Sequence, residues 1–259
     1  MRIADKFREL KAKNEKTLIA YICAGDPSTD ATKEYVHALV KGGADIVELG
    51  LPFSDPVADG PTIQAASDRA LEGGMNTDMY FELAASIKEQ VPLVCMTYYN
   101  LIFRRGVENF VKDCAASGII GIIVPDLPIE EADDILKACK AHDVDIIFMV
   151  TPVTDRNRMQ KIFSKGSGFI YIVSRLGVTG ARADVAKSTK EILEKVNTTL
   201  PRAVGFGISN GKQAAEVIAA GADAVIVGSA FVNIIASQNN VEERLEKLAR
   251  ELKDGCSAQ

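Results

Sequence analysis

Short runs rich in Val, Ile and Ala recur along this chain at intervals of about 20 to 35 residues, each followed by an amphipathic stretch, and that recurrence most restricts the fold. Eight runs predict strands over Thr17 to Ala24, Asp45 to Leu49, Leu93 to Tyr98, Ile119 to Val124, Asp145 to Val150, Gly168 to Val173, Arg202 to Phe206 and Ala224 to Val227. They are continuously apolar rather than alternating, as in parallel strands covered on both faces. Eight strand-helix units in 259 residues predict an α/β chain forming one domain over 1–259, a closed (β/α)8 (TIM) barrel. An open doubly wound sheet is the alternative, although no Gly-x-Gly-x-x-Gly opens a helix after the first strand. Met1 to Lys11 reads as an extra N-terminal helix with Ile3, Phe7 and Leu10 on one side. Insertions at Pro61 to Glu89 and Ser174 to Lys187 enlarge the pattern with loops at the C-terminal face.

Composition removes several classes of function. The formal net charge of −5 and the lack of any cluster of five or more Lys and Arg argue against a nucleic-acid surface and for a small ligand. The longest nearly apolar segment, Ala224 to Ala236, is broken by Gly228, Ser229 and Asn233 and falls short of the roughly 18 residues of a membrane span. No signal-peptide core follows the first helix, so a cytoplasmic protein is expected. Five cysteines without a Cys-x-x-Cys read as small buried hydrophobes in a reducing compartment, with Cys256 expected in an exposed, loose tail.

Within this pattern, Glu48-Leu-Gly-Leu-Pro-Phe-Ser-Asp-Pro-Val-Ala-Asp59-Gly-Pro-Thr-Ile-Gln64 places one carboxylate at the end of an apolar run and a second on the loop that follows. The run feeding it, Gly43-Ala-Asp-Ile-Val-Glu48-Leu-Gly50, is echoed in register by Gly221-Ala-Asp-Ala-Val-Ile226-Val-Gly228. Glu48 therefore stands where its twin carries Ile226, a position the fold would fill with an aliphatic side chain. Burying a carboxylate costs several kcal/mol or forces its pKa upward, which points to use as an acid or base; a structural ion pair is the competing reading.

In a parallel barrel the loops beyond the strand C-termini build the active site. Here they offer Tyr21 and Asp26, Glu48 and Asp59, Tyr98 and Asn100, Asp126, Thr151, then Tyr171 and Ser174. After the seventh and eighth strands, Gly205-Phe206-Gly207-Ile-Ser-Asn-Gly and Gly228-Ser229-Ala-Phe place glycines ahead of helix starts, where backbone N–H groups can meet a phosphate. Gly177-Val-Thr179-Gly180 could close over the same spot. His37 and His142, the only histidines, read as structural, and no His-Cys-carboxylate spacing suggests zinc. No predicted strand holds a lysine for a Schiff base, and neither a Gly-x-Ser-x-Gly elbow nor a His-activated Cys is visible. Carboxylate acid-base chemistry on a phosphorylated substrate remains.

At these residues the chain resembles the tryptophan synthase alpha family. The likeness runs from the first helix to the last and is densest at Gly25-Asp-Pro27, Glu48 to Gln64, Ser174 to Gly180, Gly205 to Ser209 and Val227 to Ala230. The resemblance implies a barrel lyase that cleaves indole-3-glycerol phosphate to indole and glyceraldehyde 3-phosphate. It also implies transfer of the indole to a pyridoxal-phosphate beta subunit in an alpha2beta2 assembly, with no cofactor or metal of the alpha chain's own. By resemblance Glu48 is the general acid and base, Asp59 pairs with the indole N–H, and Tyr171 assists proton transfer. Tyr21, Tyr98 and Ile226 match the indole pocket; Gly180, Phe206, Gly207, Gly228 and Ser229 match the phosphate site; Thr179 matches the closing-loop contact to Asp59. Tyr21 and Met96 depart from the Phe and Leu of many relatives. A stand-alone lyase releasing free indole, or a weakly active subunit that mainly activates its partner, would carry the same residues. The partner is expected on the loops at the active-site mouth, Pro52 to Pro56 and the surroundings of Asn100 and Pro128.

Overall fold

The computed structural model describes residues 2–173, 185–205 and 207–257. Within them the strands are β1 (Thr17–Cys23), β2 (Ile46–Gly50), β3 (Leu93–Met96), β4 (Ile119–Ile123), β5 (Asp145–Ile147), β6 (Met149–Val150), β7 (Ile170–Val173), β8 (Arg202–Gly205) and β9 (Ala224–Val227). All pairs are parallel, in the order β5-β4-β3-β2-β1-β9-β8-β7-β6. The two ends of that series, β5 and β6, are halves of a single run separated only by Phe148, so the ring closes through the chain itself. The expected fifth strand, Asp145 to Val150, is thus two: its first half pairs with β4 and its second with β7. Backbone bonds from Ser167 N–H to Ile146 O (2.9 Å) and from Tyr171 N–H to Phe148 O (3.1 Å) carry the seam across the break. The barrel expectation stands, and the open sheet falls away.

Ring closure divides the apolar residues into two cores. Inside the barrel, Ile19, Ile46, Val94, Ile123, Phe169 and Ile226 are buried together, and Ile3 and Phe7 of the helix Ile3–Ala12 join them from the N-terminal end. That helix is held by Arg2, whose guanidinium reaches Asp143 (3.1 Å) and the buried Asp145 (3.3 Å). The larger core fills the space between strands and surrounding helices. Its outer wall includes the helix Val241–Ser257, which buries Leu245, Ala249 and Leu252 and continues through a buried Cys256. The expected loose tail around Cys256 is therefore wrong: a final helical turn is cheap to extend where an apolar face can be covered. Among the described residues no helix is long and apolar enough to cross a membrane.

Candidate active site

Strand register places the first carboxylate. Glu48 on β2 is level with Tyr21 on β1 and Val94 on β3, and because side chains alternate along a strand, all three face the barrel interior. Glu48 is only 3% exposed, and its Oε2 has no hydrogen-bond partner among the described residues. Burial without compensation disfavours the charged form and, with the negative charge of Asp59 adding to it, pushes the Glu48 pKa up to about 8. At neutral pH this carboxyl is a neutral acid that can give a proton and take one back.

Asp59 lies on the loop between β2 and the helix Pro61–Glu72, which starts with Gly60 as its cap and Pro at its first position. The loop is tied at three points. Asp59 N–H donates to Pro56 O (3.2 Å), Gln64 Nε2 donates back to Asp59 O (2.7 Å), and Ala58 N–H donates to the Tyr98 hydroxyl (3.1 Å). Partial burial raises the Asp59 pKa to about 6, against the lowering effect of a hydrogen bond from Tyr98. Two neighbouring carboxyls whose pKa values straddle neutrality give one protonated and one ionised group at pH 7. Gln64 and the Tyr98–Ala58 tie have no counterpart in the sequence reading; a Gln in the first turn of a helix, positioned to reach back, was the available signal.

Two tyrosines complete the interior face. Tyr171, on β7, lies over Gly205 of β8, where an added Cβ would stand 2.7 Å from the phenol oxygen. Tyr21 lies across Gly50 and Gly228 in the same way. Burial, followed for Tyr171 by the charges of Glu48 and Asp59, holds both phenols well above their ordinary pKa, so each is a neutral donor. Gly50→Ala is expected to push the Tyr21 ring off its rotamer, at a cost of about 1 kcal/mol or more, and to lower cleavage several-fold with the fold intact. Paired melting curves and rate assays check it; an unchanged rate would mean the Tyr21 position is immaterial.

At the β8 and β9 ends, Gly207 has φ +77° with open space where a side chain would lie, and Gly228 and Ser229 begin the helix Ser229–Ala236. The first N–H groups of such a helix have no partner within it and can bind an anion. Ile226 is buried in the interior beside Ile19. The structure thus brings Tyr21, Glu48, Tyr171, Ile226 and Gly228 to one end of the barrel, with Asp59 and Tyr98 on its rim. Thr179, Gly180 and Phe206 lie outside the described residues, as does most of the Ser174 to Lys187 insertion. A cavity of about 740 Å³ opens on this face between Ala58 and the ends of β4 and β6, lined by Asp126, Met149 and Thr151. A larger one, about 950 Å³, lies at the opposite end beside Arg2, Lys16 and Arg202, away from Glu48 and Asp59. Among the described residues no group of three or more His, Cys, Asp or Glu side chains could hold a metal ion.

Fold and site together define a (β/α)8 barrel with two carboxyls of raised pKa, Glu48 and Asp59, at the C-terminal end of its strands. The family model described as tryptophan synthase alpha chain matches residues 7–257. The tryptophan synthase alpha chain of Methanosarcina mazei is 62% identical over 254 residues, covering 98% of this chain and 94% of that one. Among solved structures, Mycobacterium tuberculosis tryptophan synthase superposes with a TM-score of 0.92 at 37% identity, covering 100% and 99% of the two chains. The tryptophan synthase alpha subunit of Legionella pneumophila gives 0.90 at 33%, covering 98% of each. This chain belongs to the tryptophan synthase alpha chain family, lyases that cleave indole-3-glycerol phosphate in tryptophan biosynthesis.

Proposed function

We propose that Glu48, Asp59 and Tyr171 carry out the cleavage of indole-3-glycerol phosphate in this chain. The observation that carries the reading is the buried Glu48 carboxyl, whose Oε2 has no partner among the described residues and whose pKa is about 8, next to Asp59. Protonated Glu48 gives its proton to indole C3, which turns the ring into an electron sink. Asp59, ionised at neutral pH, accepts a hydrogen bond from the indole N–H as positive charge develops there, a contact that strengthens toward the transition state. The Glu48 carboxylate then takes the proton of the glycerol hydroxyl adjacent to the ring. The carbon-carbon bond breaks, its electrons return to the indole, and the aldehyde of glyceraldehyde 3-phosphate forms. One proton has moved from hydroxyl to C3 and Glu48 is reset. The Tyr171 phenol, a neutral donor near both carboxyls, assists the transfer, and the N–H groups at Gly207, Gly228 and Ser229 hold the phosphate. Cleavage assayed across pH should follow a bell with limbs near 6 and 8, whereas a flat profile over that range contradicts the assignment.

The second part of the reading is a beta subunit docked on the same face, receiving indole in an alpha2beta2 assembly, with the whole chain acting as one cytoplasmic domain. Among the described residues three large hydrophobic side chains are exposed, Val57 (83%), Phe103 (70%) and Val153 (72%), and all three follow strand C-termini around the mouth. An apolar cluster rimming an active site fits a protein partner better than solvent. Phe103→Asp is expected to weaken binding to a tryptophan synthase beta subunit by about ten- to a hundredfold, measured by calorimetry. Hydrogen exchange should show protection at Pro52 to Pro56 and around Phe103. Protection confined to the N-terminal end of the barrel would argue for a different interface, and free indole accumulating at full rate without a partner would favour the stand-alone lyase.

A further inference from the structure

Tyr98 stands just beyond β3 and is 2% exposed, which is unusual for a side chain whose only task is to line an open pocket. Its ring stacks on Phe53, with centroids 5.3 Å apart and planes 30° from parallel. Its hydroxyl accepts the N–H of Ala58, the residue next to Asp59, at 3.1 Å, and the nearness of that hydroxyl lowers the Asp59 pKa against the effect of burial. Ring and hydroxyl thus hold both ends of the segment from Phe53 to Ala58, which leads directly into Asp59. The chain on either side of Tyr98 is fixed in turn, since Thr97 N–H donates to Ile123 O (3.1 Å) and Tyr99 N–H donates to Asp126 Oδ1 (2.9 Å). The loop side is less constrained: Val57 and Ala58 are exposed, and the remaining ties of Asp59 reach its backbone only.

From this geometry we infer that Tyr98 is a positioning residue, whose hydroxyl aims the Asp59 carboxylate at the substrate ring and holds its loop against the barrel rim. The inference rests on the proposed role of Asp59. It assigns Tyr98 a task other than forming part of the indole pocket, because the side chain acts through Asp59 and through the backbone at Ala58.

Tyr98→Phe separates the two properties, since the ring and its stacking on Phe53 remain while the hydroxyl is lost. Among the described residues, the titratable groups facing Asp59 are Tyr98 itself, Glu48, Tyr21, Tyr171 and the Cys23 thiol, none of them cationic. Removing a hydrogen bond that favours the ionised carboxylate raises its pKa, so the acid limb of kcat/KM should move to higher pH. The expected result is a fall in kcat of about tenfold, KM within about twofold, and an acid limb displaced upward by about half a unit or more. In an Asp59→Asn background the same substitution should change kcat by less than about twofold, because its target is gone. The substrate phosphate also titrates near pH 6, and that contribution cancels because every variant sees the same substrate. A raised KM, an unmoved acid limb and an equal loss in both backgrounds would overturn the inference and leave Tyr98 as pocket wall. Failure of the underlying reading looks different: Asp59→Asn alone would then retain the wild-type rate and the wild-type acid limb.

Discussion

Glu48→Gln is expected to reduce cleavage by about ten-thousandfold or more while substrate still binds. General acid-base catalysis contributes roughly a hundred- to ten-thousandfold for one transfer, and here a single carboxyl serves two in succession. An amide keeps the volume and some of the hydrogen bonding of the side chain but can neither release nor accept the proton. Asp59→Asn should retain more activity, falling about a hundred- to a thousandfold, since an amide oxygen can still face the indole N–H without balancing its charge. Single-turnover rates and substrate binding, measured on both variants, separate the two jobs. Equal residual rates would remove the division of labour between the carboxyls.

The second large effect is on stability and has the opposite sign. Glu48→Leu should eliminate turnover and raise the melting temperature, because it removes a buried carboxyl with an unpartnered oxygen from an interior where its neighbours include the aliphatic Ile46 and Val94. The pH dependence follows from the raised pKa. Folded Glu48 holds its proton up to about pH 8, whereas in the unfolded chain it releases the proton near 4.5. Between those values the folded state binds more protons, so the wild type loses stability as pH rises through the window, by at most about 1.4 kcal/mol per pH unit. Below about 4.5 both states are protonated and the loss is absent. The variant has no such slope. Its advantage should grow from pH 5 to pH 8, reaching about 1 to 2 kcal/mol near neutrality after imperfect repacking, or about 2 to 6 °C in melting temperature. A variant less stable at every pH would mean that Glu48 holds a structural contact.

Both predictions concern a residue that was legible before any coordinates. Glu48 interrupts an apolar run whose twin carries Ile226, and the structure places both side chains in the barrel interior at 3% exposure. The strands were legible for the same reason: chain buried on two faces must be apolar throughout, and turn residues must separate the runs. The break at Phe148 was not, because Asp145 to Val150 is one apolar run, and its division depends on which neighbour each half meets as the ring closes. Nor could spacing show that Gly50 and Gly205 leave room for the Tyr21 and Tyr171 phenols, since each glycine's neighbour comes from an adjacent strand. The same holds for the Tyr98 hydroxyl and Ala58, 40 residues apart in the chain. Residue types at strand ends announced what chemistry was on offer, whereas the contacts that aim it arise only once the strands stand side by side.

The account depends above all on Glu48 being a neutral acid at physiological pH in the resting protein. Its carboxyl carbon, labelled with 13C through glutamate and assigned by comparison with Glu48→Gln, can be followed by NMR from pH 4 to pH 10. The predicted result is a single resonance titrating near 8, absent from the variant, and moving to lower pH in Asp59→Asn because the neighbouring negative charge has been removed. A Glu48 resonance that titrates near 4.5, like an exposed carboxyl, would contradict the proposed chemistry at its first step.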